Sequence, residues 1–432
     1  GGNKDMQKKF IKKFLLCMVL FSLISIFFSQ NVFCANDENF SIDSSSGVLM
    51  DLSSGKILYE KNMNEKRYPA SLTKVLTAIV VLENCKLDDT ATVSYDSVMS
   101  LSSGYVTANL QVGEELSVEQ LLYVLMVGSS NDAAIVLAEH VAGSQEEFSN
   151  LMNEKAKEIG CLNSHFVNPN GVHSEDHYST AYDLALIAKY AMQNEEFRKL
   201  VSTTSYKLPA TAKYEREDRL FTTTNSLLIV NNNDRADNYY YKYATGIKTG
   251  FTTPAGNCLI ASSNKDGFEL LTVLLGGGQT SEGLSQRYLD TISMFNYGYS
   301  NYFMREVAKQ GSVVQTTVIN NATKDTKKLD LALSKDITVL IKQADKNTQL
   351  LPEVTLNENL KAPIKKGDIV GKIKYTVEGI TYEADLMANS DVKPARIFLK
   401  ILIFVIIVLF VILYLKSNKK RKKNKRVKYY NG

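Results

Sequence analysis

The sequence predicts an α+β body, then a small all-β domain, then a C-terminal apolar helix. Three observations carry this. Helical periodicity clusters between Ser71 and Gln193, strand-like runs bracket it at Gly47–Asn62 and Tyr243–Gly277, and short alternating strands with turn residues fill Val307 to Asn389. The expected segments are 1–35 as a leader with a short extension ahead of Met6, 36–305 as the main body, 306–392 as the β-rich domain, 397–415 as a transmembrane helix and 416–432 as a basic tail.

The leader has a lysine-rich start and an apolar stretch from Phe14 to Phe28, then a polar exit, the pattern of a secretory signal peptide with cleavage expected after Cys34 or Ala35. At the other end, Ile397 to Leu415 is apolar apart from Lys400, and nineteen helical residues span about 28 Å, close to the hydrocarbon thickness of a bilayer. Nine Lys or Arg follow within thirteen residues, which places that tail in the cytoplasm by the positive-inside rule and the body on the extracytoplasmic face. The formal net charge of +4 therefore hides an uneven distribution. Residues 1–35 carry +4 and 396–432 carry +11, which leaves the body at −11. An acidic body argues against nucleic acid as a partner. Of five cysteines, only Cys85, Cys161 and Cys258 lie outside the leader, too few for a disulfide framework and without metal-ligand spacing.

Within the body, "GVLMDLSSGKILYEKN" reads as a hairpin turning at Ser53-Ser54-Gly55. A helix from Ser71 to about Asn84 has no wide polar face and belongs in the core. Two helices follow around the turn Gly128-Ser129-Ser130, the first opened by a capping box from Ser117 to Gln120; a second box, Ser144 to Glu147, opens another helix, and "STAYDLALIAKYAMQ" makes one more. Antiparallel strands are expected across "YATGIKTGFTTPAGNCLIASSNKDGFELLTVLLGG", with Asn264 to Gly267 as a hairpin turn, and a closing helix over "QRYLDTISMFNYGYSNYF". In the last domain, strands alternate around the turn Glu378-Gly379.

The chemistry starts from Ser71 and Lys74, which share one helix face at i and i+3. A serine hydroxyl is a poor nucleophile until a base takes its proton, and burial or a nearby cation keeps a lysine neutral enough to be that base. One S-x-x-K string alone says little; "SSNK" at Ser262–Lys265 is another, read as part of a hairpin turn. The ordered set says more. Ser129-Ser130-Asn131 sits in a turn between helices, and Lys248-Thr249-Gly250 lies on a strand. Ser129 is placed to relay a proton between Lys74 and a leaving amine. The Asn131 amide can hold a substrate carbonyl, Lys248 supplies a cation that lowers the Lys74 pKa and with Thr249 binds a carboxylate, and Gly250 lets substrate lie beside the strand.

This set resembles the S-x-x-K, S-x-N and K-T-G signature of penicillin-binding proteins and serine β-lactamases, the example the motif is known by. "YPASLTKVLTA", "LMVGSSNDAAIVLAE", "FVNPNGVHSEDHYSTAYDLALIA" and "GIKTGFTTPAGNCLIASS" narrow the resemblance to the low-molecular-weight D-alanyl-D-alanine carboxypeptidases, closely over about 40–305. The resemblance implies a β-lactamase/transpeptidase-like domain, a β domain between enzyme and anchor, and a serine-type carboxypeptidase that removes the terminal D-alanine from peptidoglycan stem pentapeptides. It implies Ser71 as acyl-enzyme nucleophile, Lys74 as general base, Ser129 as proton relay, Lys248 and Thr249 as holders of the terminal carboxylate, and the N–H groups of Ser71 and Phe251 as the oxyanion hole. Arg287 matches an arginine of the family that faces the same carboxylate. No cofactor or metal is implied, and β-lactams are expected as covalent inhibitors.

Two departures bear on this. Ser130 stands where many relatives have glycine or aspartate, and no Glu-x-x-Leu-Asn lies between Ser129 and Lys248, so penicillin adducts should persist. His173 and His177 of "HSEDH" sit in a Pro-Asn-Gly loop rather than on the helix a zinc pair needs, and no Gly-x-Ser-x-Gly elbow frames a Ser-His-Asp triad. The alternatives are a D,D-endopeptidase or transpeptidase of the same fold, or a wall-binding scaffold without turnover.

Overall fold

The computed structural model describes residues 40–230, 237–395 and 397–430; the leader expected at 1–35 lies outside them. The chain divides into two compact units between Tyr302 and Phe303, three residues before the expected boundary. The strand Tyr302–Ala308 begins directly after the closing helix, so there is no linker for composition to reveal.

The strands of the first unit are β1 (Ser46–Asp51), β2 (Ile57–Lys61), β3 (Thr90–Thr92), β4 (Glu115–Ser117), β5 (Ser205–Lys207), β6 (Leu220–Thr222), β7 (Ala244–Thr252), β8 (Gly256–Lys265) and β9 (Phe268–Gly277). Five form one antiparallel sheet in the order β2-β1-β9-β8-β7, which leaves β7 on an edge. The β1–β2 turn is held by Asp51, whose carboxylate accepts from Ser53 Oγ and from Ser54 N at 2.9 Å each. The β8–β9 turn is narrower than expected. Only Asp266 and Gly267, both at positive φ, make it, the signature of a two-residue type I′ hairpin. "SSNK" at Ser262–Lys265 is therefore strand and not turn, and residues three apart on a strand face opposite sides.

Helices cover both faces of the sheet, a cluster on the Val48 and Met50 side and one closing helix on the Leu49 and Leu270 side. The helix Lys74–Asn84 runs through the middle of the cluster with Leu76, Ile79 and Val80 buried, and it packs on Val118–Met126, Asn131–Ala142, Gln145–Ile159 and Ala181–Ala191. Emptying one such position, as in Leu76→Ala, costs about 2–5 kcal/mol. The Ser117–Gln120 capping box is complete, whereas at Ser144 the structure shows the serine half, its hydroxyl accepting from Glu147 N. The helix Gln286–Asn301 packs against β1, β8 and β9.

The second unit is built on β10 (Tyr302–Ala308), β11 (Val313–Val318), β12 (Lys328–Leu333), β13 (Ile337–Lys342), β14 (Glu353–Leu356), β15 (Ile369–Val377) and β16 (Ile380–Ala388). β11-β12-β16-β15-β14 form one sheet, β10 pairs with β13, and Leu331, Val339, Ile373 and Leu386 fill the core. Glu378 and Gly379 take positive φ at the β15–β16 turn. A helix then runs from Ile397 to Tyr430 and includes one stretch, Leu399–Lys420, long and apolar enough to cross a membrane. The helix continues past Leu415, where the expected span ends, because the basic segment that follows is rich in helix-forming Lys and Arg and has no Gly or Pro before Gly432.

Candidate active site

Ser71 lies in a 3₁₀ turn, Ala70–Thr73, and Lys74 is the first residue of the α-helix behind it. The sequence reading placed both on one continuous helix; the tighter turn arises because Pro69 opens it and Ala70 takes φ +49°. Lys74 Nζ lies 3.0 Å from Ser71 Oγ, 2.9 Å from Asn131 Oδ1 and 2.7 Å from the Asn170 carbonyl oxygen. The Asn131 orientation follows from its other end, where Nδ2 donates to Val106 O at 2.9 Å. Two of the three Lys74 partners are acceptors only. A neutral amine that donates to both leaves its lone pair for the third, the Ser71 hydroxyl.

The surroundings favour that neutral form. Lys74 is fully buried, and burial, then the Lys248 cation, hold its amine well below the ordinary lysine range, with Asp132 opposing. The Asp132 carboxylate is turned to other work. It accepts from the N–H groups of Ala108, Leu110 and Ala133 at 2.9–3.2 Å, which fixes the 106–110 loop against the start of the helix Asn131–Ala142. Ser129 stands just before that helix at φ +58°, facing the cleft. Gly128 is required beside it, since a Cβ there would sit 2.6 Å from the Phe221 ring.

The third segment comes from β7. Lys248 is buried, its Nζ donates to Thr249 O at 3.1 Å, and burial followed by the Arg287 cation brings its pKa down to about 7. Thr249 Oγ1 and Thr224 Oγ1 are 2.5 Å apart. Arg287 Nη1 donates to the carbonyls of Gly250 and Cys258, and its buried Nε has no partner. A Cβ on Gly250 would lie 3.1 Å from Pro69 O and 3.2 Å from Ser71 N, so glycine lets the strand press against the Ser71 turn.

These pieces line one cleft of about 530 Å³, with Ser71, Ser129, Asn131, Thr249, Gly250 and Arg287 on its walls; Lys248 stands behind the wall. Ser71, Lys74 and Asn131 are in direct contact. Asn170 and Thr224 were not singled out in the sequence. Asn170 acts through its backbone carbonyl, which no residue-type pattern marks, and Thr224 sits in a threonine run without spacing to β7. His173 lines the cleft and packs edge-on against Tyr68, with ring centroids 4.5 Å apart. The described residues bring one set of metal-type donors together, Cys85, Asp89 and His140, within 4.8 Å of one another. It lies at the far end of the Lys74 helix, about 16 Å away by helical rise, and Asp89 there accepts from Lys86 N.

A family model described as D-alanyl-D-alanine carboxypeptidase matches residues 32–279, and one described as penicillin-binding protein 5, C-terminal domain, matches 302–394. D-alanyl-D-alanine carboxypeptidase DacF of Bacillus subtilis (strain 168) is 30% identical over 393 residues, covering 89% of this chain and 95% of that protein. DacC of Escherichia coli (strain K12), of the same description, is 31% identical over 379 residues, covering 84% and 88%. Among solved structures, penicillin binding protein 5 from Haemophilus influenzae superposes with a TM-score of 0.63 at 27% identity over 82% of this chain and 98% of that one. A serine-to-alanine mutant of the Streptomyces K15 DD-transpeptidase gives 0.54 at 31% identity over 60% and 99%.

Proposed function

The chain belongs to the D-alanyl-D-alanine carboxypeptidase family, serine hydrolases that act on the cell wall, and from that premise we propose that Ser71 is its acylated nucleophile. The observation that carries this reading is the set of contacts at Lys74 Nζ: two of its three partners can only accept, so a neutral amine keeps its lone pair for the third, Ser71 Oγ. Lys74 takes the hydroxyl proton as Ser71 attacks the carbonyl of the penultimate D-alanine in a stem pentapeptide. The N–H groups of Ser71 and Phe251 receive the developing oxyanion. Ser129 passes the proton to the amine of the terminal D-alanine, which leaves. Water, activated by the same lysine, then releases the tetrapeptide.

Substrate lies along the open edge of β7, where Gly250 keeps the backbone clear. Its terminal carboxylate meets the Thr249 hydroxyl with Arg287 and the buried Lys248 cation behind. Asn131 keeps one amide hydrogen free of the Val106 contact, and that hydrogen holds the acyl-side carbonyl. Penicillins follow the first half of this path and stop at the Ser71 ester. The leader at 1–35 exports the body, and the helix from Ile397 holds it on the extracytoplasmic face with its basic end inside.

The test is a mass spectrum of the penicillin-treated chain with the modified peptide mapped. A penicilloyl adduct on Ser71 that is lost in Ser71→Ala supports the reading, and labelling that survives the substitution overturns it. The likeness to a DD-transpeptidase keeps a second reading in play, transfer to an acceptor amine in place of water. Incubation with pentapeptide, with added acceptor, and with cross-linked dimer separates hydrolysis, transfer and endopeptidase action by product mass.

A further inference from the structure

One loop supports the Ser71 turn and the Lys74 helix from behind. Thr77 Oγ1 donates to Pro169 O at 2.6 Å, Lys74 Nζ reaches Asn170 O at 2.7 Å, and Thr73 Oγ1 lies 2.8 Å from His177 Nε2. At the crest of the loop Gly171 takes φ +80° and fits so closely that a Cβ would sit 1.9 Å from the Ala70 carbonyl oxygen. The loop is braced internally: Asn168 Oδ1 accepts from Gly171 N at 2.7 Å and Asn170 Oδ1 from Val172 N at 3.0 Å.

The hydrogen bonds at His177 have only one consistent direction. Nδ1 accepts from Val167 N at 3.2 Å, so the ring proton sits on Nε2 and is donated to Thr73 Oγ1. The single Thr73 hydroxyl hydrogen then goes to Ala70 O, at 2.9 Å. Burial is the main cause that lowers the imidazole pKa to about 4 and keeps it neutral, and the Phe166 ring packs edge-on at 5.5 Å. The chain of donors ends on the carbonyl of a residue whose φ of +49° an alanine does not hold without support.

That carbonyl has a partner on the other side of the same plane. Ala70 C=O and Ser71 N–H belong to one peptide unit, and a planar trans peptide points them in opposite directions. Fixing the oxygen from behind therefore aims the N–H forward, where the Gly250 backbone closes on Ser71 N. We propose that His177 is a positioning residue of the acylation step: through Thr73 it holds the Ala70–Ser71 peptide so that the Ser71 N–H points at the oxyanion. This rests on the assignment of Ser71 as nucleophile.

The experiment uses the full chain in detergent, a fluorescent penicillin for acylation rate and a peptide ending in D-Ala-D-Ala for turnover. His177→Ala is expected to lower both the acylation rate and kcat by about 10- to 100-fold, below the 10²–10³ that loss of an oxyanion donor itself costs, with KM nearly unchanged. His177→Gln, whose terminal amide N–H replaces Nε2–H, should recover most of the rate, and His177→Asn, one bond shorter, should not. Thr73→Val should match His177→Ala, and the double variant should be no slower than either. A wild-type rate in a folded His177→Ala protein overturns the proposal, as do losses that multiply in the double variant. Where His177→Ala fails to fold, Thr73→Val alone decides: a wild-type rate there overturns it. Labelling that persists in Ser71→Ala overturns the nucleophile assignment instead, so the two failures are distinguishable.

Discussion

Two charged clusters are sealed inside the same body and solve burial in opposite ways. Glu114 and Arg219 neutralise each other: Arg219 donates to Glu114 through Nη1 at 3.1 Å and Nη2 at 2.5 Å, Thr211 and Gln111 N add two more bonds, and the guanidinium rests on the Tyr214 ring. Burial alone would raise the Glu114 pKa, but these partners outweigh it and hold the carboxyl below its usual range. Lys74 is as deeply buried but is met by two neutral oxygens and a hydroxyl. Among the described residues nothing there pairs its charge, and burial lowers its pKa instead. A paired charge locks two pieces of chain together, while an unpaired amine with a lowered pKa suits the base proposed here.

Substitutions on each side should break this contrast in different assays. The largest effect is expected for Lys74→Met: acylation by fluorescent penicillin falls by about 10²–10⁴-fold, the range for loss of a positioned base, while the melting temperature stays close to the parent. Arg219→Met should do the reverse. It strands a buried carboxylate at a cost of about 3–5 kcal/mol, read as a lower denaturation midpoint, and replacing Glu114 by leucine as well should restore much of the loss. If Lys74→Met melts early and Arg219→Met does not, the comparison is wrong.

Lys248→Met sharpens the electrostatic half. The cation beside Lys74 lowers its pKa, so removing it raises that pKa, and the acid limb of the acylation profile should move to higher pH because the neutral amine is the reactive form. In the parent, affinity for a carboxylate-ended substrate should weaken as pH rises through about 7 and Lys248 discharges, seen as an alkaline fall in kcat/KM. The smallest effect is expected for Thr249→Val, which removes the hydrogen bond proposed to the carboxylate. It should cost about 1.5 kcal/mol, near tenfold in kcat/KM, without moving either limb.

Much of this was legible in the sequence where the signal is local. The capping box at Ser117, the turn residues at Glu378-Gly379 and the apolar run of the Lys74 helix all report their own neighbourhoods, and each appears in the fold. The i and i+3 spacing of Ser71 and Lys74 was also readable, although the turn that joins them is tighter than a helix. Contacts between distant segments were not readable. Asn170 lies 96 positions from Lys74, and Arg219 lies 105 from Glu114; neither carries a mark in its own neighbourhood. His177 shows the difference most clearly, since its loop suggested only that it could not pair with His173 on a helix. Its partner is Thr73, 104 positions away.

The edge position of β7 beside the cleft has a consequence for anyone designing compounds against this protein. A main chain laid against that edge is recognised by its amide pattern more than by its side chains, so methylating one inward-facing nitrogen of a peptide mimic should weaken it more than trimming a side chain does. A short strand-like blocker should therefore inhibit the protein through its backbone.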